Sequence, residues 1–580
     1  MQPAPRKGVA TLALAAALGA FLGSSASLAQ NPCEAIAEAC RDAGFVRGDS
    51  REGNGIIVDC VNPIVQGRMP RRAAGHPLPD VDPQVVAACR ARNAGAARPP
   101  STSETPVAAS MPAGVPPPTG DGQRHPNIVF ILTDDLSWNL VQFMPHVLDM
   151  QKRGVTFSNY MVTDSLCCPS RSSIFTGRFP HNTGIFRNTG ADGGYLPFRD
   201  RGLERTTFAT ALTAAGYRTA MMGKYLNGYL PAKHPPAPGW TTWAVAGHAY
   251  KEFDYSLNQN GKVVNYGHNP ADYLTDVMGG LGSRFIMESG GGPFLLEVAT
   301  FAPHAPYTPA PRDLNNFRQL RAPRTPAFNA APDANAVTWL TKHTQLSDAE
   351  LARIDVDFRK RAQSVLAIDA LIGELRASVA AIGQEKNTYF VFSSDNGYHM
   401  GEHRLMPGKM TAYDTDIRVP LIVTGPGVPA NVTIDEIVEN IDLCPTFVEL
   451  AGAVPPPAVD GRSLVPFLHG EKVINWRTAA LIEHHGPHDD PNDPDAPALR
   501  SGNPPTYEAI RAKGFVYVEY VGGEREFHDL ATDPQELLNS YVQLPEVEKA
   551  ALHASVEALK NCHDAKNCEV ADRTTAALRK

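Results

Sequence analysis

The sequence predicts an α/β protein: a large, mostly parallel sheet flanked by helices, with a smaller antiparallel-sheet domain toward the C-terminus. Three observations lead there. Asn127-Ile128-Val129-Phe130-Ile131-Leu132-Thr133 is an unbroken apolar run ending in Asp134-Asp135, as expected of a strand covered on both faces, and similar runs recur at 294–298, 388–393 and 420–424. Amphipathic helices lie between these runs. The clearest begins at Ser347, with Glu350 three residues on as a capping box, and sets Leu351, Ile354, Phe358, Val365, Ile368, Ile372, Leu375 and Val379 on one face. After about Trp476 the period shortens to alternation: 515–521, a Gly522-Gly523 turn and 525–528 read as a hairpin. Strands alternating with helices imply an α/β sheet, and the hairpin begins a separate antiparallel one.

The 580 residues are 43% apolar and 20% charged, enough to bury a substantial core and too apolar for a disordered chain. A net charge of -8 argues against a nucleic-acid or anionic-membrane binder, so a polyanionic partner needs a local site. At the N-terminus, Arg6 and Lys7 precede an apolar stretch from Val9 to Leu22 and then Ser27-Leu28-Ala29, which reads as a signal peptide over 1–29. That stretch falls short of the roughly 20 residues of a membrane span. The expectation is an exported protein, periplasmic or secreted, without a membrane anchor.

Nine cysteines stand at 33, 40, 60, 89, 167, 168, 444, 562 and 568. In an oxidising compartment the first four would staple a short accessory segment, 30–93, with helical patterning at 33–43 and 83–93, and Cys562 with Cys568 would close a loop in the tail, 546–580. Pairing among the first four is open. A zinc site is the rival, but the spacings lack close CxxC pairs. Residues 94–124, rich in Ala, Pro, Ser and Thr, read as an extended linker. A catalytic domain over 125–475 and an antiparallel subdomain over 476–545 complete the expected layout.

Ligands of α/β sheets gather at the carboxyl ends of strands, so Asp134-Asp135 and Ser394-Asp395-Asn396-Gly397 can converge from distant parts of the chain. Hard oxygen donors of this kind suit calcium or magnesium. Two further clusters are Cys167-Cys168-Pro169-Ser170-Arg171 and Gly223-Lys224-Tyr225-Leu226-Asn227.

In this order the four clusters resemble the type I sulfatase family of the alkaline-phosphatase superfamily, over residues 125 to about 545. The resemblance implies an alkaline-phosphatase-like fold and a sulfuric ester hydrolase. In that family the cysteine of Cys-x-Pro-x-Arg is oxidised to Cα-formylglycine, which implies Cys168 as the precursor and a formylglycine-generating enzyme as a partner in maturation. One calcium would be held by Asp134, Asp135, Asp395, Asn396 and the modified residue 168. One hydroxyl of the hydrated aldehyde would attack sulfur, and loss of the other's proton would expel sulfate. Arg171 would fix the diol, Lys224 and Lys409 would face the sulfate oxygens, and His304, in Ala302-Pro303-His304-Ala305-Pro306, would protonate the leaving alcohol. His399 and His403 fall outside this metal set, since glycines at 397 and 401 suggest a loop.

Many arylsulfatases have a histidine two positions after the lysine of Gly-Lys, where this chain has Leu226; His181 is the expected substitute base. Gly-Lys-Tyr-Leu-Asn and Pro180-His181-Asn182 are similar to the N-acetylglucosamine-6-sulfatase branch, which acts on sulfated glycosaminoglycan sugars. Two other readings stand beside this one: a phosphonate monoester or phosphodiester hydrolase of the same superfamily, and a non-catalytic sulfated-glycan-binding protein. Arg312, Arg318, Arg321 and Arg324, in a Pro-rich segment after His304, are a candidate extended subsite for a polymeric substrate.

Overall fold

The computed structural model describes residues 32–46, 56–66, 77–94, 125–490, 493, 495–575 and 578. The signal peptide and nearly all of the linker lie outside the described residues.

Ten strands form the main sheet: β1 (Asn127–Thr133), β2 (Val155–Met161), β3 (Arg218–Lys224), β4 (Thr242–Ala246), β5 (Ser256–Gln259), β6 (Lys262–Asn265), β7 (Phe294–Ala299), β8 (Thr388–Ser394), β9 (Leu421–Thr424) and β10 (Val432–Glu439), in the order β10-β2-β9-β8-β1-β7-β3-β4-β5-β6. The centre, β8-β1-β7-β3-β4, is parallel throughout. Every residue of β1 is buried, and the strand divides its side chains by the two-residue period: Ile128, Phe130 and Leu132 enter one core, Val129 and Ile131 the other. The helix Asp348–Ala381 covers the second core. Its Ser347–Glu350 capping box is formed, and Ile354, Phe358, Val365, Ile368, Ile372 and Leu375 are buried.

The apolar run at 420–424 is a strand, but β9 pairs antiparallel with both β8 and β2. The chain leaves β8 at the carboxyl end, loops over that edge through Lys409 and re-enters the sheet from the same side, so β9 runs the opposite way.

A second sheet has four antiparallel strands, β11 (Ala479–His484), β12 (Tyr507–Ala512), β13 (Phe515–Tyr520) and β14 (Arg525–Asp529). The hairpin read from the sequence is β13–β14. Alternation again sorts the faces. Ala480, Ile482, Ala509, Val516 and Val518 join a core of the main sheet, whereas Leu481, Ile510, Phe515, Tyr517 and Phe527 pack on Leu552, Val556 and Leu559 of the helix Glu546–Lys560. The small sheet is thereby continuous with the main body on one face and capped by the tail on the other.

The cysteines pair as Cys33–Cys89, Cys40–Cys60 and Cys562–Cys568. The first two close a small cluster around Ile36, Phe45 and Ile56, with helices Pro32–Asp42 and Pro83–Ala94 beside it. Cys167, Cys168 and Cys444 are free and buried.

Candidate active site

β1 and β8 are neighbours with Thr133 opposite Ser394, so the residues that follow, Asp134-Asp135 and Asp395-Asn396, leave the sheet side by side. Asp135 adopts a left-handed φ of 62°, held by its N–H donating to Asp395 Oδ1 at 3.2 Å and by its carbonyl accepting from the buried guanidinium of Arg361. β7 leads into His304, and β3 delivers Lys224. Gly223 just before it has φ 99°, and a Cβ there would strike the Ala299 carbonyl, so only glycine lets β3 end this close to β7.

These strand ends make a charge-dense pocket, with Asp134, Asp135, Asp395, Asn396, Lys224, Lys409 and His304 all buried. Lys224 Nζ lies 2.6 Å from Asp134 Oδ2, and Lys409 Nζ 2.8 Å from Asp135 Oδ1. Arg171 Nε bonds Asp395 Oδ2 at 2.8 Å and its Nη1 bonds the Lys224 carbonyl at 2.8 Å, while Nη2 has no partner. Burial alone would raise the Asp134 carboxyl, but Lys224, His304, Arg171 and Lys409 outweigh it and hold it well below the usual range. Asp395, buried beside Asp134, is pushed up to about 6 against the pull of Arg171 and Lys224. Both lysines overcome burial through their carboxylates and stay cationic.

The helix Cys167–Thr176 brings the cysteine pair, and here one expectation changes. Cys167 Sγ lies 3.3 Å from Asp134 Oδ1 and 2.8 Å from Lys409 Nζ. Cys168 lies away from the acids: its thiol is part of the apolar core and its N–H donates to Asn188 Oδ1 at 3.0 Å. Of the pair it is therefore Cys167, and not the expected Cys168, that the structure places beside the acids and Lys409. Successive residues of a helix project about 100° apart, so one cysteine of the pair faces the pocket. The sequence held the signal, since Cys-x-Pro-x-Arg counted back from Pro169 and Arg171 begins at Cys167. Burial, with Asp134 and Asp495 nearby, raises the Cys167 thiol well above its ordinary value, and burial pushes Cys168 to about 12, so neither is a thiolate nucleophile as it stands.

The oxygen donors fit a hard cation: Asp135 Oδ2 and Asn396 Oδ1 are buried without a hydrogen bond, and Asp134 and Asp135 bring carboxylate oxygens within 4.8 Å of each other, of Cys167 Sγ and of His304. Asp395 adjoins them, its oxygens accepting from Arg171 and from the Asp135 N–H.

Asp495 is the residue that the sequence reading missed. Its Oδ1 contacts His304 Nε2 and lies 3.6 Å from Lys409 Nζ; its Oδ2 accepts from Asn227 at 2.5 Å, Asn188 at 3.1 Å and Tyr250 at 3.2 Å. Burial raises this carboxyl, yet Lys409, Lys224 and His304 reverse the effect and keep it ionised. His304 Nδ1 bonds the Ala305 carbonyl at 2.7 Å, which leaves Nε2 as its proton-exchanging nitrogen. Burial lowers this histidine's pKa, but Asp135 and Asp495 raise it further.

His181 does not reach the pocket. Its Nδ1 pairs with Glu483 at 2.8 Å, and its Nε2 contacts the Cys562 carbonyl, so it anchors the tail instead of acting as a base. Leu226 is buried in the apolar core, and Asn227 is the residue of that motif which faces the site. His399 is held by Asp416 and the Ser501 carbonyl, and His403 stacks on Tyr413.

The arginines after His304 bond away from the pocket. Arg312 pairs with Asp276, Arg318 bonds Asn315, Arg324 pairs with Asp355 and lies over Phe328, and Arg321 is 3.9 Å from Asp355. None lines the cleft of about 710 Å3 that opens from Asp135, His304, Lys409 and Asp495. The arginines expected to form an extended subsite thus stand outside this cleft.

Residues 126–453 match the family model described as Sulfatase, and 401–561 the model described as N-sulphoglucosamine sulphohydrolase, C-terminal. The chain is 35% identical over 451 residues to an N-acetylglucosamine-6-sulfatase of Homo sapiens, spanning 72% of this chain and 81% of the relative. It is 27% identical over 519 residues to an N-acetylglucosamine-6-O-sulfatase of Bacteroides thetaiotaomicron, spanning 76% and 87%. A structure solved in complex with its substrate D-glucosamine-2-N,6-O-disulfate superposes with a TM-score of 0.62 at 23% identity, over 75% of this chain and 97% of that one. The phosphonate monoester hydrolase of Agrobacterium radiobacter gives 0.58 at 20%, over 75% and 96%. At these identities the two structures speak to the fold.

Proposed function

The chain belongs to the sulfatase family, and from that premise we propose that it hydrolyses the 6-sulfate ester of N-acetylglucosamine or a closely similar sulfated sugar, with Cys167 as the precursor of Cα-formylglycine. The observation that carries the reading is the place of Cys167 Sγ, between the Lys409 ammonium and Asp134.

When the site holds calcium and residue 167 is in its aldehyde form, they supply a Lewis acid for the sulfate and a hydrated aldehyde as the attacking group. Asp134, Asp135, Asp395 and Asn396 would hold the ion. The chain's own part is electrostatic and positional. Lys224 and Lys409 stay cationic in a buried pocket and stabilise negative charge that develops on sulfate oxygens. Arg171 ties Asp395 to the end of β3 and keeps one N–H for residue 167. His304 holds a proton at Nε2 for the departing sugar oxygen, a contribution of about 10²- to 10⁴-fold. Asp495 supports that protonation, while Asn188, Asn227 and Tyr250 hold Asp495.

Maturation requires a formylglycine-generating enzyme. Three disulfides favour an oxidising compartment, hence export, and no helix among the described residues is long and apolar enough to cross a membrane. The test is sulfate release from N-acetylglucosamine 6-sulfate by matured, calcium-loaded protein, assayed beside a phosphonate monoester. Turnover of the sulfate ester is expected; turnover of the phosphonate alone would move the assignment to the phosphonate hydrolase reading.

A further inference from the structure

The segment 495–501 forms one wall of the cleft as a strap, and Asp495, at its start, is the residue that meets His304. Packing does little to hold the strap, since Leu499 is 90% exposed. Its far end is fastened by polar contacts: the Arg500 carbonyl accepts from the Met406 N–H at 2.8 Å, the Arg500 guanidinium meets Glu350, and the Ser501 carbonyl accepts from His399 Nε2 at 2.8 Å. His399 is buried, and its other ring nitrogen, Nδ1, lies 2.9 Å from Asp416 Oδ2. That same oxygen accepts from the Thr411 N–H at 3.1 Å and from the Thr411 hydroxyl at 2.7 Å, and the His399 backbone pairs both ways with Gly408, at 2.9 and 3.1 Å. The ring thus stands where the Lys409 loop, 408–411, and the strap meet. A Cβ at Gly408 would fall 2.5 Å from the Ser501 carbonyl oxygen and 3.0 Å from His399 Nε2, so glycine there lets the two segments close on the ring.

Carbonyl and carboxylate oxygens only accept hydrogen bonds, so a ring with one on each side donates from both nitrogens and is an imidazolium. Its surroundings agree: burial lowers the pKa of His399, but Asp416, Glu402 and the Ser501 carbonyl raise it further. Bonds from a charged donor are roughly twice as strong as neutral ones, which suits a tether. We propose that His399 is a positioning residue for the reaction: braced by Asp416, its ring pins the strap to the Lys409 loop and so sets Asp495 against His304. His399 itself stands outside the cleft lining and acts only through these neighbours. This rests on the sulfatase reading of the inner pocket and adds to it a residue on the leaving-group side, since Asp495 supports the proton that His304 gives up.

The experiment compares matured, calcium-loaded wild type, His399→Ala, Asp495→Asn and the double variant on N-acetylglucosamine 6-sulfate and on nitrocatechol sulfate, and follows amide hydrogen exchange in each. In His399→Ala, kcat on the sugar sulfate should fall about tenfold to a hundredfold, part of what a proton donor contributes. On nitrocatechol sulfate, whose phenolate departs unprotonated, it should stay within about threefold, which also reports that the variant is folded. The double variant should lie within about twofold of Asp495→Asn alone, as expected of two residues that act in series. His399→Gln, whose amide nitrogen has about the reach of Nε2, should recover most of the loss, and His399→Asn, with the reach of Nδ1, should not. Exchange in His399→Ala should quicken at the Met406 and Ser501 amides and not in β1 or β8. Equal losses on the two substrates, losses that multiply in the double variant, or unchanged exchange at 406 and 501 would overturn the positioning role. Exchange is read without turnover, so a strap loosened in His399→Ala beside a wild type that cleaves no sulfate ester would uphold the tether and overturn the sulfatase reading instead.

Discussion

Cys167 and Lys409 meet inside the pocket, Sγ to Nζ at 2.8 Å, across 242 residues of sequence, while Cys168 turns its thiol into apolar packing. Two adjacent cysteines thus take separate roles. Cys167→Ala should abolish turnover of sulfate esters and leave the melting temperature nearly unchanged. Cys168→Ala should keep kcat within about threefold but lose about 1–2 kcal/mol of stability, because its side chain packs in the apolar core, whereas that of Cys167 lies among charged groups. Thermal unfolding and sulfate release on both variants check this; activity lost only in Cys168→Ala would reverse the assignment.

His304 is expected to matter in proportion to how poor the leaving group is. His304→Ala should lower kcat by about 10²- to 10⁴-fold on a sugar sulfate, whose alkoxide must be protonated, and much less on nitrocatechol sulfate, whose phenolate departs unaided. Equal losses on the two substrates would remove the proton-donor role.

Calcium should act on stability as well as on rate. Binding to the native state alone raises the unfolding free energy, by about 2.7 kcal/mol at a hundredfold excess over Kd. A calcium-dependent rise in melting temperature is expected in wild type and should vanish in Asp135→Ala, which removes the buried Oδ2 that accepts no hydrogen bond. A rise that persists in the variant would place the ion elsewhere.

His181 should affect the fold and not the rate. Burial lowers its pKa, but the Glu483 contact and the Cys562 carbonyl raise it by more, so the folded value lies above the ordinary one near 6.5. A group raised on folding contributes stability that is complete below the unfolded value and is lost as pH rises through the folded one. The melting-temperature gap between wild type and His181→Gln should therefore be widest below about pH 6.5 and narrow on the alkaline side, with kcat unchanged at every pH. A loss of turnover in His181→Gln would restore it as a base.

The acids at the ends of β1 and β8 were readable because a strand buried on both faces is uniformly apolar and the first charges after it mark where it leaves the sheet. β9 is apolar in the same way, but an apolar run carries no direction, so its antiparallel course depended on the loop through Lys409. β2 interrupts its apolar residues with half-buried Ser158 and Asn159 and lacks that signature. Asp495 stands in Asp489-Asp490-Pro491-Asn492-Asp493-Pro494-Asp495, a composition that reads as a solvated turn; its role appears only when the chain returns 191 residues after His304. The arginines after His304 look like an anion site as a string, yet Asp276 pairs with Arg312 and Asp355 with Arg324, and those partners are remote in sequence.

The most direct test is the mass of the peptide that contains residues 167 and 168, taken from protein that is turning over a 6-sulfated sugar. The expected result is an aldehyde at 167, lighter than the thiol form, with 168 still a thiol. An intact thiol at 167 in fully active protein would contradict the mechanism.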